Sequence, residues 1–197
     1  GDYTGARPYL ERALAIREKA LGPDHPNTAA SLNNLATLLQ AQGDYTGARP
    51  RYERALAIRE KALGPDHPDT ASSIGNLGFL LQLQGDYAAA RPYLERALAA
   101  RQKLGDRYQE GVLFFILGKM AAQQDRLAEG VRLVALCVLI DRSIDHPDTA
   151  NDQQALEQIM APLGYTQQQV DALLEDVGHA YAADRGWGLL TAAFSDR

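Results

Sequence analysis

Gly43–Gln84 reads GDYTGARPRYERALAIREKALGPDHPDTASSIGNLGFLLQLQ, and the stretch before it, Gly1–Gln42, is nearly the same text. The two copies differ only at positions 9, 10, 27, 30, 32, 33, 36, 37 and 41 of the first. The stretch that follows opens GDYAAARPYLERALAARQK and then drifts. A fixed period of this length marks a repeat array, in which each unit buries its apolar face only by stacking on the next.

Within one period two apolar stripes are legible. Leu32, Leu35, Ala36 and Leu39 fall at i, i+3, i+4 and i+7, the stripe of an amphipathic helix. Gly43 stops that helix, because glycine tolerates the left-handed conformation that ends helices. Asp44 stands where an N-cap is wanted. A second stripe runs through Tyr45, Ala48, Tyr52, Ala55, Leu56 and Ile58 to Leu63, and Gly64-Pro65 closes it. Pro68 falls in the first turn of the next helix, where its missing N–H costs nothing. The unit is helix, tight turn, longer helix and Gly-Pro-Asp-His-Pro turn.

The same marks return downstream. Leu32, Leu35, Ala36, Leu39, Gly43, Tyr45, Ala48, Tyr52 and Ala55 become Ile74, Leu77, Gly78, Leu81, Gly85, Tyr87, Ala90, Leu94 and Ala97. The next set is Phe114, Leu117, Gly118, Ala121, Asp125, Leu127, Gly130, Val134 and Cys137. Ala36, Gly78 and Gly118 stay small on one helix, and Ala48, Ala90 and Gly130 on the other. Helices approach closely only where side chains are short, so these positions are the expected crossing points. Pro8, Pro50 and Pro92 lie past the first turn of each second helix, which predicts a small kink there.

Composition narrows the function. Net charge is −5 over 197 residues, against a nucleic-acid partner, since phosphate binding needs a basic face. The single cysteine, Cys137, excludes an intrachain disulfide and fits a reducing compartment such as the cytoplasm. No apolar run approaches the roughly 18 residues of a membrane span. His25, His67 and His146 each sit in a separate Asp-His-Pro turn, a unit or more apart. No metal ligand set, cofactor site or catalytic constellation is expected from them, and Cys137 replaces the small Ala55 and Ala97 as a core residue.

The repeating pattern resembles the tetratricopeptide repeat, over Gly1 to about Ile140. The usual period there is about 34 residues; the 42-residue variant seen here resembles the repeats of kinesin light chains and of bacterial signalling-protein arrays. The resemblance implies an all-α, right-handed α-solenoid whose first helices line a concave groove. It implies a non-catalytic scaffold for a protein or extended peptide, the C-terminal sensing or partner-binding arm of a larger signalling protein. The groove candidates are Asn33, Asn34, Thr37, Gln40, Asn76, Phe79, Gln82, Leu83, Phe115 and Lys119, with Ser31 and Ser73 on the same side. In the family, the position of Asn34 and Asn76 holds the backbone of a bound segment, and an amide suits that task because it both donates and accepts. Ile116 departs from it.

Two further expectations concern the ends. Residues 1–142 are read as the array and 143–197 as degenerate capping helices, with Val170, Leu173, Leu174, Val177 and Tyr181 as one stripe and 186–194 as a short last helix. The first helix, 2–21, lacks its hairpin partner. Its face, including Tyr3, Leu10 and Leu14, is expected to pair with an upstream repeat or with a second copy. A structural spacer or a homo-oligomer acting through this helix is therefore the alternative function.

Overall fold

The computed structural model describes residues 3–192, with side chains from 5 to 190. Among these residues the chain is an all-α repeat solenoid. It forms two compact units, 1–100 and 101–197.

The first unit contains α1 (Tyr3–Leu21), α2 (Pro26–Ala41), α3 (Tyr45–Leu63), α4 (Pro68–Leu83) and most of α5 (Tyr87–Leu104). Leu32, Leu35, Ala36 and Leu39 of α2 are all at most 2% exposed, as are Ala48, Tyr52 and Ala55 of α3. Ala29, Leu32, Ala55 and Ile58 form one apolar cluster between the two helices. Ala48 and Ala90 are fully buried, in keeping with the small-residue crossings. At Gly78 a Cβ would come 3.0 Å from the Leu94 side chain, so the third hairpin closes more tightly than the second, which has Ala36 in that place.

Polar atoms fix the helix ends. Gly43 adopts φ +78°, and the Asp44 carboxylate accepts from the Gly47 N–H at 2.9 Å. The histidines of the first two turns act as N-caps. His25 Nδ1 accepts from the Asn27 N–H, and His67 Nδ1 from the Asp69 N–H, each at 3.1 Å. An imidazole nitrogen serves here as the side-chain acceptor that an orphan helix N–H requires. His67→Ala should therefore lower stability by about 1 kcal/mol, the usual worth of an N-cap. His67→Asn should recover most of that loss, read as the urea midpoint. Helices α1, α3 and α5 continue through Pro8, Pro50 and Pro92 without interruption.

Two second helices are tied to the next first helix by an arginine, exposed at Arg17 and buried at Arg59. Arg17 Nη1 donates to Ser31 Oγ at 2.7 Å and to the Asn27 carbonyl at 3.2 Å. Arg59 repeats this with Ser73 Oγ at 2.8 Å and the Asp69 carbonyl at 3.0 Å. Arg59 is only 7% exposed, and burial pulls its pKa below the usual guanidinium range.

The second unit contains α6 (Arg107–Gln123), α7 (Leu127–Ser143), α8 (Thr149–Met160), a 3-10 turn (Ala161–Leu163), α9 (Gln167–Asp184) and α10 (Trp187–Ala192). Helices α6 and α7 cross closely. A Cβ on Gly118 would lie 2.7 Å from Val134 Cγ2 and 3.0 Å from the Gly130 carbonyl oxygen. Asp125, at φ 59°, fills the left-handed place of Gly43 and Gly85. A Thr166–Gln169 capping box starts α9. Of its expected stripe only Val177 is fully buried; Val170, Leu173, Leu174 and Tyr181 are half-covered. Glu110 is wholly buried, yet it accepts from Gln102 Nε2 at 2.9 Å, Tyr181 Oη at 2.9 Å and Arg185 Nη2 at 2.6 Å. This network ties the end of α9 to the start of α6. The expected last helix is present as α10, which packs on α7 and α9; Phe194 lies outside the described residues.

Candidate functional site

In the first unit the first-helix positions divide into two kinds. Ser31 and Ser73, expected on the groove side, are buried beneath Arg17 and Arg59 and cannot face a ligand. Arg17/Arg59 and Ser31/Ser73 recur in register, but the apolar periodicity alone does not single these links out. Thr37 and Gln40 both engage Tyr52 across the hairpin. Thr37 Oγ1 lies 3.0 Å from Tyr52 Oη, which donates to Gln40 Oε1 at 3.1 Å. Burial raises the Tyr52 phenol pKa, so the ring keeps its proton for this bond.

The asparagines behave differently. Asn34 is exposed, Asn33 and Asn76 are half-buried, and Asn76 Nδ2 donates to Asn33 Oδ1 at 3.0 Å. This bond joins successive first helices, α2 and α4, and places their amides side by side. A carboxamide offers two donors and two acceptor lone pairs, so one such bond leaves capacity on each side chain. On α4, Phe79 and Gln82 are half-buried and Leu83 is 38% exposed.

Phe115 and Lys119 belong to the second unit, and both are half-buried. Phe115 lines a cleft of about 300 Å³ together with Tyr108, Cys137, Asp141, His146 and Asp152. The Tyr108 and His146 rings stack there, with centroids 4.6 Å apart. His146 Nδ1 accepts from the Asp148 N–H at 3.2 Å, the same bond two residues on that His25 and His67 make, although here it precedes the helix and does not cap it. The Cys137 thiol donates to Asp152 Oδ2 at 3.3 Å. Burial, then the adjoining Asp152, pushes the Asp141 carboxyl up to about 7, and burial pushes the Cys137 thiol up as well.

At the N-terminal helix, Leu10 is half-buried, and Leu14 packs against the cluster of Ala29, Leu32, Ala55 and Ile58. Leu14 thus finds its partners within this chain. The Tyr3 side chain lies outside the described residues. The large apolar side chains that α1 exposes are Tyr9 at 76%, Ile16 at 56% and Leu21 at 45%.

The tetratricopeptide repeat family model matches residues 1–61 and 31–103. Among solved structures, a Podosopora anserina kinesin-light-chain-type protein with nearly identical TPR-like repeats is similar at 27% identity and TM-score 0.71. The match covers 94% of this chain and 90% of that one. A single-substitution variant of that protein matches at 26% identity and TM-score 0.72, over 94% and 89% of the two chains. BtubC (BKLC) from P. vanneervenii, at 19% identity, shares the fold with TM-score 0.70 over 94% of this chain and 76% of its own. No curated protein matches.

Proposed function

Because the chain belongs to the tetratricopeptide repeat family, whose scaffolds typically serve protein–protein interaction, we propose that it holds an extended protein or peptide segment against the first helices of its repeats. The Asn76–Asn33 bond carries this reading. It sets amides from two successive units into one row, with the exposed Asn34 beside them. Paired donors and acceptors in a row match a peptide backbone, whose N–H and C=O groups alternate. Thr37 and Gln40 support the row through Tyr52, and Phe79 and Leu83 add apolar contact at its edge. Phe115 and Lys119 offer a separate apolar and cationic contact on the second unit. In this reading the scaffold is non-catalytic, acts in the cytoplasm as an arm of a larger signalling protein, and closes with 143–197 as capping helices. Its net charge of −5 disfavours nucleic acid.

A phage-displayed peptide library selected on the whole chain supplies the test. Binding of a selected peptide should weaken by about tenfold or more in Asn34→Ala/Asn76→Ala, the effect of losing one to two net hydrogen bonds. Asn34→Ala alone should leave Tm unchanged, since Asn34 is solvent-exposed. Unchanged affinity in the double variant rejects the amide row.

The exposure of Tyr9 and Ile16 favours a second reading, self-association through α1. They lie seven residues apart and so share a helix face. Light scattering should then show a dimer that Tyr9→Lys/Ile16→Lys converts to monomer. A monomer in both proteins removes this reading.

A further inference from the structure

The arginine links of the first unit have an inverted counterpart in the second. By the register of the repeat, Asp141 stands where Arg17 and Arg59 stand, four residues beyond Cys137, Ala13 and Ala55 respectively. Asp152 stands where Ser31 and Ser73 stand, three residues beyond Thr149, Thr28 and Thr70. Where Arg59 is buried against the Ser73 hydroxyl, this junction sets the buried Asp141 carboxyl beside the half-buried Asp152. One positive charge is lost and two negative charges are gained at a single position between a second helix and the next first helix.

Nothing among the described side chains replaces the missing cation. Asp141 is 3% exposed and lines the cleft. The closest basic nitrogen, His146 Nδ1, is 3.9 Å from Asp141 Oδ2 and is turned to the Asp148 N–H. One ligand atom from each of Cys137, Asp141 and Asp152 falls within 4.8 Å of the others, with His146 and Asp148 also acting on Asp141. A buried carboxylate without a compensating positive charge is costly, and a coordinated metal ion is one of the two ways proteins meet that cost.

We propose that Cys137, Asp141 and Asp152 bind one divalent transition-metal ion of the zinc type, which takes the structural place of the repeat's arginine and clamps α7 to α8. A thiolate with two carboxylates selects a borderline metal such as zinc over calcium or magnesium, which take oxygen ligands. Three protein ligands leave a position open toward the cleft for water. Binding releases the Cys137 thiol proton, and that of Asp141 where it is protonated, to solvent, as metal coordination requires. The three ligands are legible only once α7 and α8 are packed.

The test uses the tag-free whole chain, stripped with chelator and titrated with cobalt(II) and then zinc. Cobalt(II) should bind at one equivalent and give thiolate-to-metal charge-transfer absorption, which zinc displaces. Zinc should also raise Tm, because it binds the folded form. Cys137→Ala, the residue that regular units carry there, should fold and lose the charge-transfer band. Asp141→Arg/Asp152→Ser restores the regular link; it should be at least as stable in chelator as the wild type and lose the zinc-dependent rise in Tm. Asp152→Ser alone should weaken zinc by more than about tenfold, the floor set by loss of outer-sphere partners. Absence of the band in the wild type, or its survival in Cys137→Ala, overturns the site.

Discussion

Gly118→Leu should lower stability by about 3 kcal/mol, at the upper end of the range for overpacked cores. For a chain of this size that corresponds to a fall in Tm of roughly 6–12 °C. The cause is local and rigid. A Cβ at Gly118 would meet the Gly130 carbonyl oxygen and the Val134 amide nitrogen, both at 3.0 Å, so backbone and not a movable side-chain tip stands in the way. Gly75→Ala is the matched control. Its Cβ would find only the Ala97 Cβ, at 3.7 Å, an ordinary contact. Relieved of glycine's entropy in mid-helix, that variant should gain about 0.5–1 kcal/mol. Opposite signs for two helical glycines follow if the hairpins nest through small residues at defined crossings. Thermal melts of the two variants read the difference directly.

Arg185→Ala should cost about 3 kcal/mol, the low end for breaking a buried ion pair from the side that strands the charge. Glu110 is fully buried, so losing Arg185 leaves its carboxylate with only the Gln102 and Tyr181 donors. The reverse change is milder. Arg185 is the more exposed partner, with 42% of its side chain in solvent, so in Glu110→Gln it can rehydrate while the amide retains part of the bonding. The order of the two urea midpoints, Arg185→Ala below Glu110→Gln, is the check.

Periodicity made the helices, their order and the crossing points readable, because burial of one face leaves a stripe that repeats with the unit. Leu32, Leu35, Ala36 and Leu39 were identifiable without coordinates for that reason, and Gly43 and Asp44 because their backbone chemistry is local. What escaped depends on side chains meeting across units. Arg59 resembles any surface arginine until its guanidinium is seen on Ser73, and His67 reads as a turn residue until its Nδ1 is placed over the Asp69 N–H. Within the candidate groove the pattern marked the right helices but did not separate Ser31 and Ser73, which are buried, from Asn33 and Asn76, which touch. Asp141 and Asp152 escaped for the same reason, since they meet each other and Cys137 only when α7 and α8 pack.

The central claim is that a bound segment runs along the first helices. A library-selected peptide carrying a benzophenone side chain, photo-crosslinked to the whole chain and mapped by mass spectrometry, measures this most directly. The account predicts adducts on α2 and α4, near Asn34, Asn76, Phe79 and Leu83, and their loss on competition with unlabelled peptide. Competable adducts confined to α3 and α5, or to residues 143–192, would contradict it.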